Sequence, residues 1–192
     1  MKLSLIPCII ACMLIFACGQ PDKNKKEEPQ QPYLPVTAYI LSEIKALDSQ
    51  AVGILKRTTS GQRTDSAFIP LEQFRQLAAN FLSKELDSAS FHENFTEDSF
   101  YDQATDYMTF AYRCKKPSSA LQRVDVLISP GLSFDKVRNI YMEKAYMSGD
   151  TAITQRMTWK PGTSFSIITS RSVAAQKPQV EQVKVTWDPA AY

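Results

Sequence analysis

The chain has 192 residues, a formal net charge of +2 and 44% hydrophobic residues. This length suffices for one hydrophobic core, because a domain of about 150 residues buries about 68–70% of the surface of its unfolded chain. Acidic and basic residues are interspersed without a basic stripe, so the composition excludes the usual kind of nucleic-acid-binding protein.

The N-terminus predicts a secretory signal. Lys2 supplies a short basic region, and an apolar run from Leu3 to Ala17 follows it. This run is too short to cross a bilayer core of about 30 Å as a helix, and it is typical of the apolar part of a signal peptide. We therefore predict that residues 1–17 form a signal peptide that is removed.

The end of this run indicates lipidation at Cys18. Small residues flank it, since Ala17 precedes it and Gly19 follows. The pattern resembles the signal of small, uncharacterised lipoproteins of Gram-negative bacteria, and the resemblance is specific only over residues 1–20. It implies that the thiol is acylated and that the lipid holds the protein on a membrane, at about 0.8 kcal/mol per buried CH₂. Cys12 closes a looser match, and an ordinary secretory signal is the alternative.

The same resemblance implies a location. Gram-negative lipoproteins are usually kept in the inner membrane by an Asp close behind the acylated Cys. Gln20 stands at the position concerned, and Asp22 follows only later. We therefore expect the outer membrane, and the sequence leaves open whether the domain faces the periplasm or the cell surface.

Residues 18–34 predict a flexible tether behind the lipidated Cys18. The segment contains Pro21, Pro29 and Pro32, a run of Lys and Glu, and hardly any apolar side chain. Such a composition stays unfolded or forms polyproline II, and at about 3.1 Å per residue the segment would reach roughly 50 Å. The remaining residues, 35–192, are expected to form a single globular domain.

Two amphipathic helices and a hairpin are predicted at the start of this domain. Apolar residues recur at helical spacing after Pro35 and again after Pro70, and both prolines suit a first helical turn. The first helix is expected to end near Asp48. Between the helices, segments 51–59 and 64–69 flank a Ser-Gly-Gln turn and predict a hairpin.

From Tyr107 onward, apolar residues alternate with polar ones, as in half-buried strands. Turn signals such as Pro161-Gly162 separate these runs. Residues 137–147 are apolar at both parities, which predicts a central strand covered on both faces. We expect an α+β fold in which the two helices pack on a curved antiparallel meander of about six strands, with the short N-terminal hairpin beside it.

Motifs for catalysis are absent, which argues against an enzyme without excluding one, and no cofactor or metal site is expected. His92 is the single histidine, so a zinc site of several histidines is excluded. Cys114 alternates with Phe110 and Tyr112 and is expected to be a small buried residue. The acidic residues between helix two and the sheet are interpreted as a solvated connector, with a carboxylate-based hydrolase as the third-ranked function; they are Glu93, Glu97, Asp98, Asp102 and Asp106.

The leading hypothesis is a non-catalytic envelope protein that binds an envelope protein or a glycan through its domain. Exposed Tyr and Arg side chains suit such an interface. The candidate interface residues, expected on strand faces opposite the core, are Tyr107, Tyr141, Tyr146 and Arg156. The alternative is a carrier or sensor of an apolar, lipid-like ligand held in a cavity between the sheet and the helices.

Three Asp-Ser/Thr-Ala tripeptides, centred on Ser66, Ser88 and Thr151, resemble the O-glycosylation acceptor of some Gram-negative envelope proteins. Asp, Ser and Thr also favour helix caps and turns for their own local hydrogen bonds. Modification of these hydroxyls therefore stays an open hypothesis.

Overall fold

The computed structural model describes residues 35–50, 52–86, 91–129 and 137–187. The signal peptide, Cys18 and the tether predicted above lie outside these residues. So do the tripeptide around Ser88 and the final five residues of the chain.

Three α-helices lie in the described chain, and the first two have the predicted places. Helix α1 spans Val36–Leu47, α2 spans Leu71–Ala78, and α3 is the single turn Phe91–Asn94. A 3₁₀ turn, Ala79–Phe81, extends α2 and buries Phe81. In both longer helices a proline precedes the first residue, where its missing N–H costs no intrahelical bond.

Nine antiparallel strands form one sheet in the order β2-β1-β9-β8-β7-β6-β5-β4-β3. They are β1 (Leu55–Ser60), β2 (Arg63–Phe68), β3 (Phe95–Asp102), β4 (Tyr107–Cys114), β5 (Leu121–Ile128), β6 (Val137–Ser148), β7 (Thr151–Lys160), β8 (Ser164–Val173) and β9 (Gln179–Thr186). Strands β3–β9 are a continuous meander, and the hairpin β1–β2 is attached to it because β1 pairs with β9.

The expected α+β fold with about six strands is wrong, since the protein is mostly β. Strands β4–β9 are the predicted six, and two features enlarge the sheet. The acidic segment read as a connector is the edge strand β3, paired with β4 along its whole length. The hairpin is not a separate appendage, because all six residues of β1 pair with β9.

The two faces of the sheet differ because alternate side chains of a strand point to opposite sides. On the covered face, against which α2 packs, one row of buried side chains crosses six neighbouring strands in register. Its members are Val185, Phe165, Trp159, Ile140, Val126 and Phe110. The opposite side is called the outer face below.

The core between α2 and the sheet is filled by an aromatic cluster. Phe74 of α2 lies 5.2 Å from Trp187 and 5.6 Å from Phe165, measured between ring centroids. Phe81 lies 5.2 Å from Trp159. All five rings are almost completely buried, so aromatic area supplies much of the driving force for folding.

Strand β6 is central, as predicted, but it is not covered twice. Ile140 and Met142 are buried on the covered face. Tyr141 and Glu143 lie on the outer face at intermediate exposure, so the apolar covering extends to one side only.

Candidate functional site

The outer face carries most of the sheet's basic side chains, and they are distributed unevenly along the strand order. In the five neighbouring strands β7, β8, β9, β1 and β2, the outer-facing residues include four cations and no carboxylate. The cations are Arg57, Arg156, Lys160 and Lys184. We call this region the cationic half.

The other four strands, β3 to β6, form the mixed half of the outer face. Here two cations are accompanied by four carboxylates among the outer-facing residues: Arg113, Arg123, Asp98, Asp102, Asp125 and Glu143. The two halves therefore differ in the sign of their net charge, although the chain as a whole is nearly neutral.

A tyrosine cluster, consisting of Arg123, Asp125, Tyr141, Glu143 and Arg156, lies where the two halves meet. The Arg123 guanidinium donates to both carboxylate oxygens of Asp125, at 2.9 and 2.5 Å. It also lies 5.5 Å from the ring centroid of Tyr141, a cation–π distance. The Tyr141 hydroxyl donates to Glu143 at 3.2 Å, and Glu143 faces Arg156 across the β6–β7 pair.

These contacts raise the pKa values of two residues in the cluster. The hydrogen bond to Asp125 raises the pKa of Arg123 above its already high value. Burial is the main cause that raises the pKa of Tyr141, and the Glu143 carboxylate adds to the effect. The phenol is therefore neutral at physiological pH and serves as a hydrogen-bond donor and a flat contact surface.

The structure brings together two of the four predicted interface residues. Tyr141 and Arg156 belong to the cluster, and Tyr107 lies on the same outer face, in β4 opposite Asp102 of β3. Tyr146 lies on the covered face instead, because it is four residues after Met142 in β6 and every second residue of a strand points to the same side. It is 39% exposed there, opposite Ile153.

Sequence reasoning missed Arg123, Asp125 and Glu143. Their alternation with Val124 and Val126 does predict that Arg123 and Asp125 face away from the core. The missing information was the register of β5 against β6. A bulge between Leu121 and Arg123 shifts this register, and the shifted register places Arg123 opposite Glu143 and Asp125 opposite Tyr141.

The described cavities are open depressions at the surface. One of about 640 Å³ lies beside the β8–β9 loop, and one of about 700 Å³ lies along the β1–β2 hairpin. A third, of about 260 Å³, is lined by polar residues near Cys114. A carrier of an apolar ligand would instead need an enclosed apolar space, and the aromatic cluster occupies the volume between α2 and the sheet.

The carboxylates considered for a hydrolase do not converge. Glu97 and Asp98 are successive residues of β3 and lie on opposite faces, and both are exposed. Asp102 accepts hydrogen bonds from Thr105 and from the backbone of Ala104, which lowers its pKa and makes it a turn-forming side chain. Within the described ranges, no three His, Cys, Asp or Glu side chains are grouped so that they would hold a metal ion.

Cys114 and His92 have local structural contacts. Cys114 is partly exposed, so the expectation of a buried thiol is wrong; its Sγ accepts from the backbone N–H of Lys116 at 3.4 Å. Cys114 is the last residue of β4, and it is less buried than Phe110 and Tyr112 on the same face of that strand. His92 is exposed in the single turn of α3, as expected of a helix-end histidine.

Two of the three tripeptide hydroxyls lie in the described residues. Ser66 is exposed on the edge strand β2, and Thr151 is the first residue of β7.

Comparison with protein-family models, curated proteins and solved structures finds no match to this chain. In the part of the chain that the structure describes, no helix has the length and hydropathy needed to span a bilayer. A function for the outer face therefore has to be argued from its geometry and charge.

Proposed function

We propose that this chain is a lipid-anchored envelope protein without catalytic activity, whose outer sheet face binds an envelope protein or a glycan. Acylated Cys18 would hold the domain on the outer membrane, and the tether would give it freedom to reach its partner. The proposal joins the N-terminal signal of the sequence to the properties of one sheet face.

The observation that carries the binding role is the tyrosine cluster. Tyr and Arg are enriched at protein interfaces, because they combine a large contact area with hydrogen bonding. In the cluster, Tyr141 and Arg123 are held by neighbouring carboxylates, so less side-chain entropy would be lost on binding. Tyr141 and Glu143 are neither buried nor fully exposed, and Arg156 is exposed beside them.

Two alternatives have less support. A carrier of an apolar ligand lacks an apolar space between α2 and the sheet, where Phe74, Phe81 and Trp159 pack against one another and their neighbours. A hydrolase would need carboxylates that share a cleft, whereas Glu97 and Asp98 lie on opposite faces of an edge strand.

Site-specific photo-crosslinking in the native envelope tests the binding role. A photoreactive residue at Arg156, in the cluster, should give a reproducible crosslinked product. The matched control is Leu41, which is 48% exposed on α1, the helix linked to α2 by the ion pair between Asp48 and Arg75. The same products from both positions, or none from Arg156, would show that the cluster does not bind a partner.

Fatty-acid labelling tests the anchor separately. The wild-type chain should incorporate a clickable palmitate and lose residues 1–17, and Cys18→Ser should do neither. Cys12→Ser is the control, because it removes the second candidate thiol and should leave labelling and processing unchanged. A Cys18→Ser chain that is still labelled, or still shortened, would contradict the proposed anchor.

A further inference from the structure

The outer-facing residues of the cationic half include no carboxylate, and Glu143 of the mixed half faces only Arg156, at the border between the halves. Arg57 and Lys184 are directly opposite each other on β1 and β9, so their backbones are about 4.8 Å apart. Lys160 lies two strands further on, in β7, and all three side chains are exposed. Hydroxyl groups flank the first two cations in the same row, with Ser66 opposite Arg57 and Ser166 opposite Lys184.

Exposed apolar side chains accompany these cations. Phe68 on β2 is 71% exposed, Val180 on β9 is 50% exposed, and Ile168 on β8 is 37% exposed. All three belong to the outer face of the cationic half. A soluble polyanion would be satisfied by the cations and hydroxyls alone. Cations combined with protruding aromatic and aliphatic side chains are typical of surfaces that enter the interface of a membrane.

A groove of about 640 Å³ adjoins the same region. Its lining includes Ile168 and Val180, Thr59 and Ser60 at the end of β1, and Lys177 from the β8–β9 loop. Its volume falls in the range of small-molecule sites, about 300–1,000 Å³. A phosphate-bearing headgroup would find there a cation beside an apolar wall.

We propose that the cationic half of the outer face docks on a bilayer with net negative headgroup charge. The proposal deepens the proposed function and rests on it in one respect, since the lipid anchor would keep the domain beside a bilayer. The predicted tether, with its reach of roughly 50 Å, is long enough for the face to turn toward the membrane. The mixed half and the tyrosine cluster, including Arg156 at the border of the cationic half, would then contact a partner that lies on the same membrane.

Vesicle binding by a chain that carries no lipid tests the docking independently of the anchor. The protein would begin at residue 18 with Cys18→Ser, so it retains every residue that the structure describes. It should co-sediment with vesicles of phosphatidylcholine containing phosphatidylglycerol and not with pure phosphatidylcholine. Binding should weaken as salt is added, since salt screens the attraction.

Matched variants locate the contact. Each cation close to an anionic surface contributes about fivefold to binding, so Arg57→Gln with Lys184→Gln should reduce it about 25-fold. The control, Lys45→Gln with Lys84→Gln, makes the same charge change on the helix side, where both lysines are exposed. It should leave binding within about twofold, as expected for distant surface charges. Phe68→Ser should cause a loss that persists at high salt, and Leu41→Ser is its control.

Three results would overturn the proposal. The first is an absence of binding to anionic vesicles, and the second is equal loss in the two pairs of lysine and arginine variants. The third is preferential binding to soluble dextran sulfate, which would assign the cationic half to a soluble anionic partner, or to a second copy of the chain, which would assign it to self-association. None of these results bears on palmitate labelling of Cys18 or on crosslinking from Arg156, so a failure here is distinguishable from a failure of the proposed function.

Discussion

The two faces of the sheet are built from alternate residues of the same strands, yet they differ in burial and in charge. Successive residues of β7 illustrate this: Trp159 is completely buried beneath Phe81, and Thr158 and Lys160 on either side face outward. The covered face concentrates aromatic area, and the outer face concentrates charge. Buried aromatic residues and exposed charged residues are thereby separated by a single step along the chain.

This separation explains how a nearly neutral chain can have a strongly charged surface. Acidic and basic residues are mixed along the sequence, but strand pairing gathers the outer-facing cations of β7, β9 and β1 into one region. The acidic residues of that region lie elsewhere: Glu181 of β9 points to the covered side, opposite Thr169. Net charge alone therefore said little about the surface.

The largest effect is expected when the covered face is broken. Trp159→Ala should lower the free energy of unfolding by about 3–5 kcal/mol, because it removes a fully buried aromatic side chain and leaves a cavity. The measurement is urea denaturation followed by far-UV circular dichroism. Thr158→Ala, one residue away on the outer face, is the control and should cost less than about 1 kcal/mol.

Equal losses for the two substitutions would contradict the comparison of the faces. Such a result would mean that the outer face is also part of a packed core. A loss below about 1 kcal/mol for Trp159→Ala would mean that the aromatic cluster relaxes to fill the space, since the cost of a cavity depends on how well its surroundings collapse.

The sequence was sufficient for the elements whose pattern is local. The apolar stripes after Pro35 and Pro70 predicted α1 and α2, and the alternation from Tyr107 onward predicted β4 to β9. Both patterns are set by the geometry of a single helix or strand. The hairpin of β1 and β2 was predicted for the same reason.

What the sequence could not supply depends on contacts between distant segments. Strand β3 contains mostly exposed residues, and three of its eight residues are acidic, so it lacks the half-buried alternation by which a strand is recognised. It is a strand because it pairs with β4. The attachment of β1 to β9 and the register that forms the tyrosine cluster are likewise tertiary properties. Tyr141 and Arg156 were predicted from residue type and parity, whereas their acidic partners were not.

A smaller effect should distinguish two ion pairs on the two faces. Arg123 and Asp125 form a two-point contact on the outer face, and the Asp125 side chain is only 17% exposed. Arg171 and Glu181 form a single contact of 3.9 Å on the covered side, with both side chains at least 40% exposed. Double-mutant cycles with alanine should give a coupling free energy of about 0.5–1 kcal/mol for the first pair and close to zero for the second. The reverse order would show that the cluster is not held by its carboxylates.

The smallest effect concerns a charged residue on the covered face. Lys144 donates to the backbone carbonyl of Asn80 at 2.6 Å, and burial lowers its pKa below 10.5, an effect that Glu85 only partly opposes. Between the lowered pKa and 10.5, the unfolded chain binds more protons than the folded one, so the free energy of unfolding contributed by this lysine rises with pH in that window. At lower pH, Lys144 is charged in both the folded and the unfolded chain, and its contribution to the free energy of unfolding is constant.

We therefore expect the wild type to gain stability relative to Lys144→Met as pH rises from neutral toward 10.5, measured by urea denaturation at each pH. Titrations of other groups, such as Tyr141, are common to both proteins and cancel in the difference. A difference that stays flat over the whole range would mean that Lys144 is as well solvated in the folded protein as in the unfolded chain.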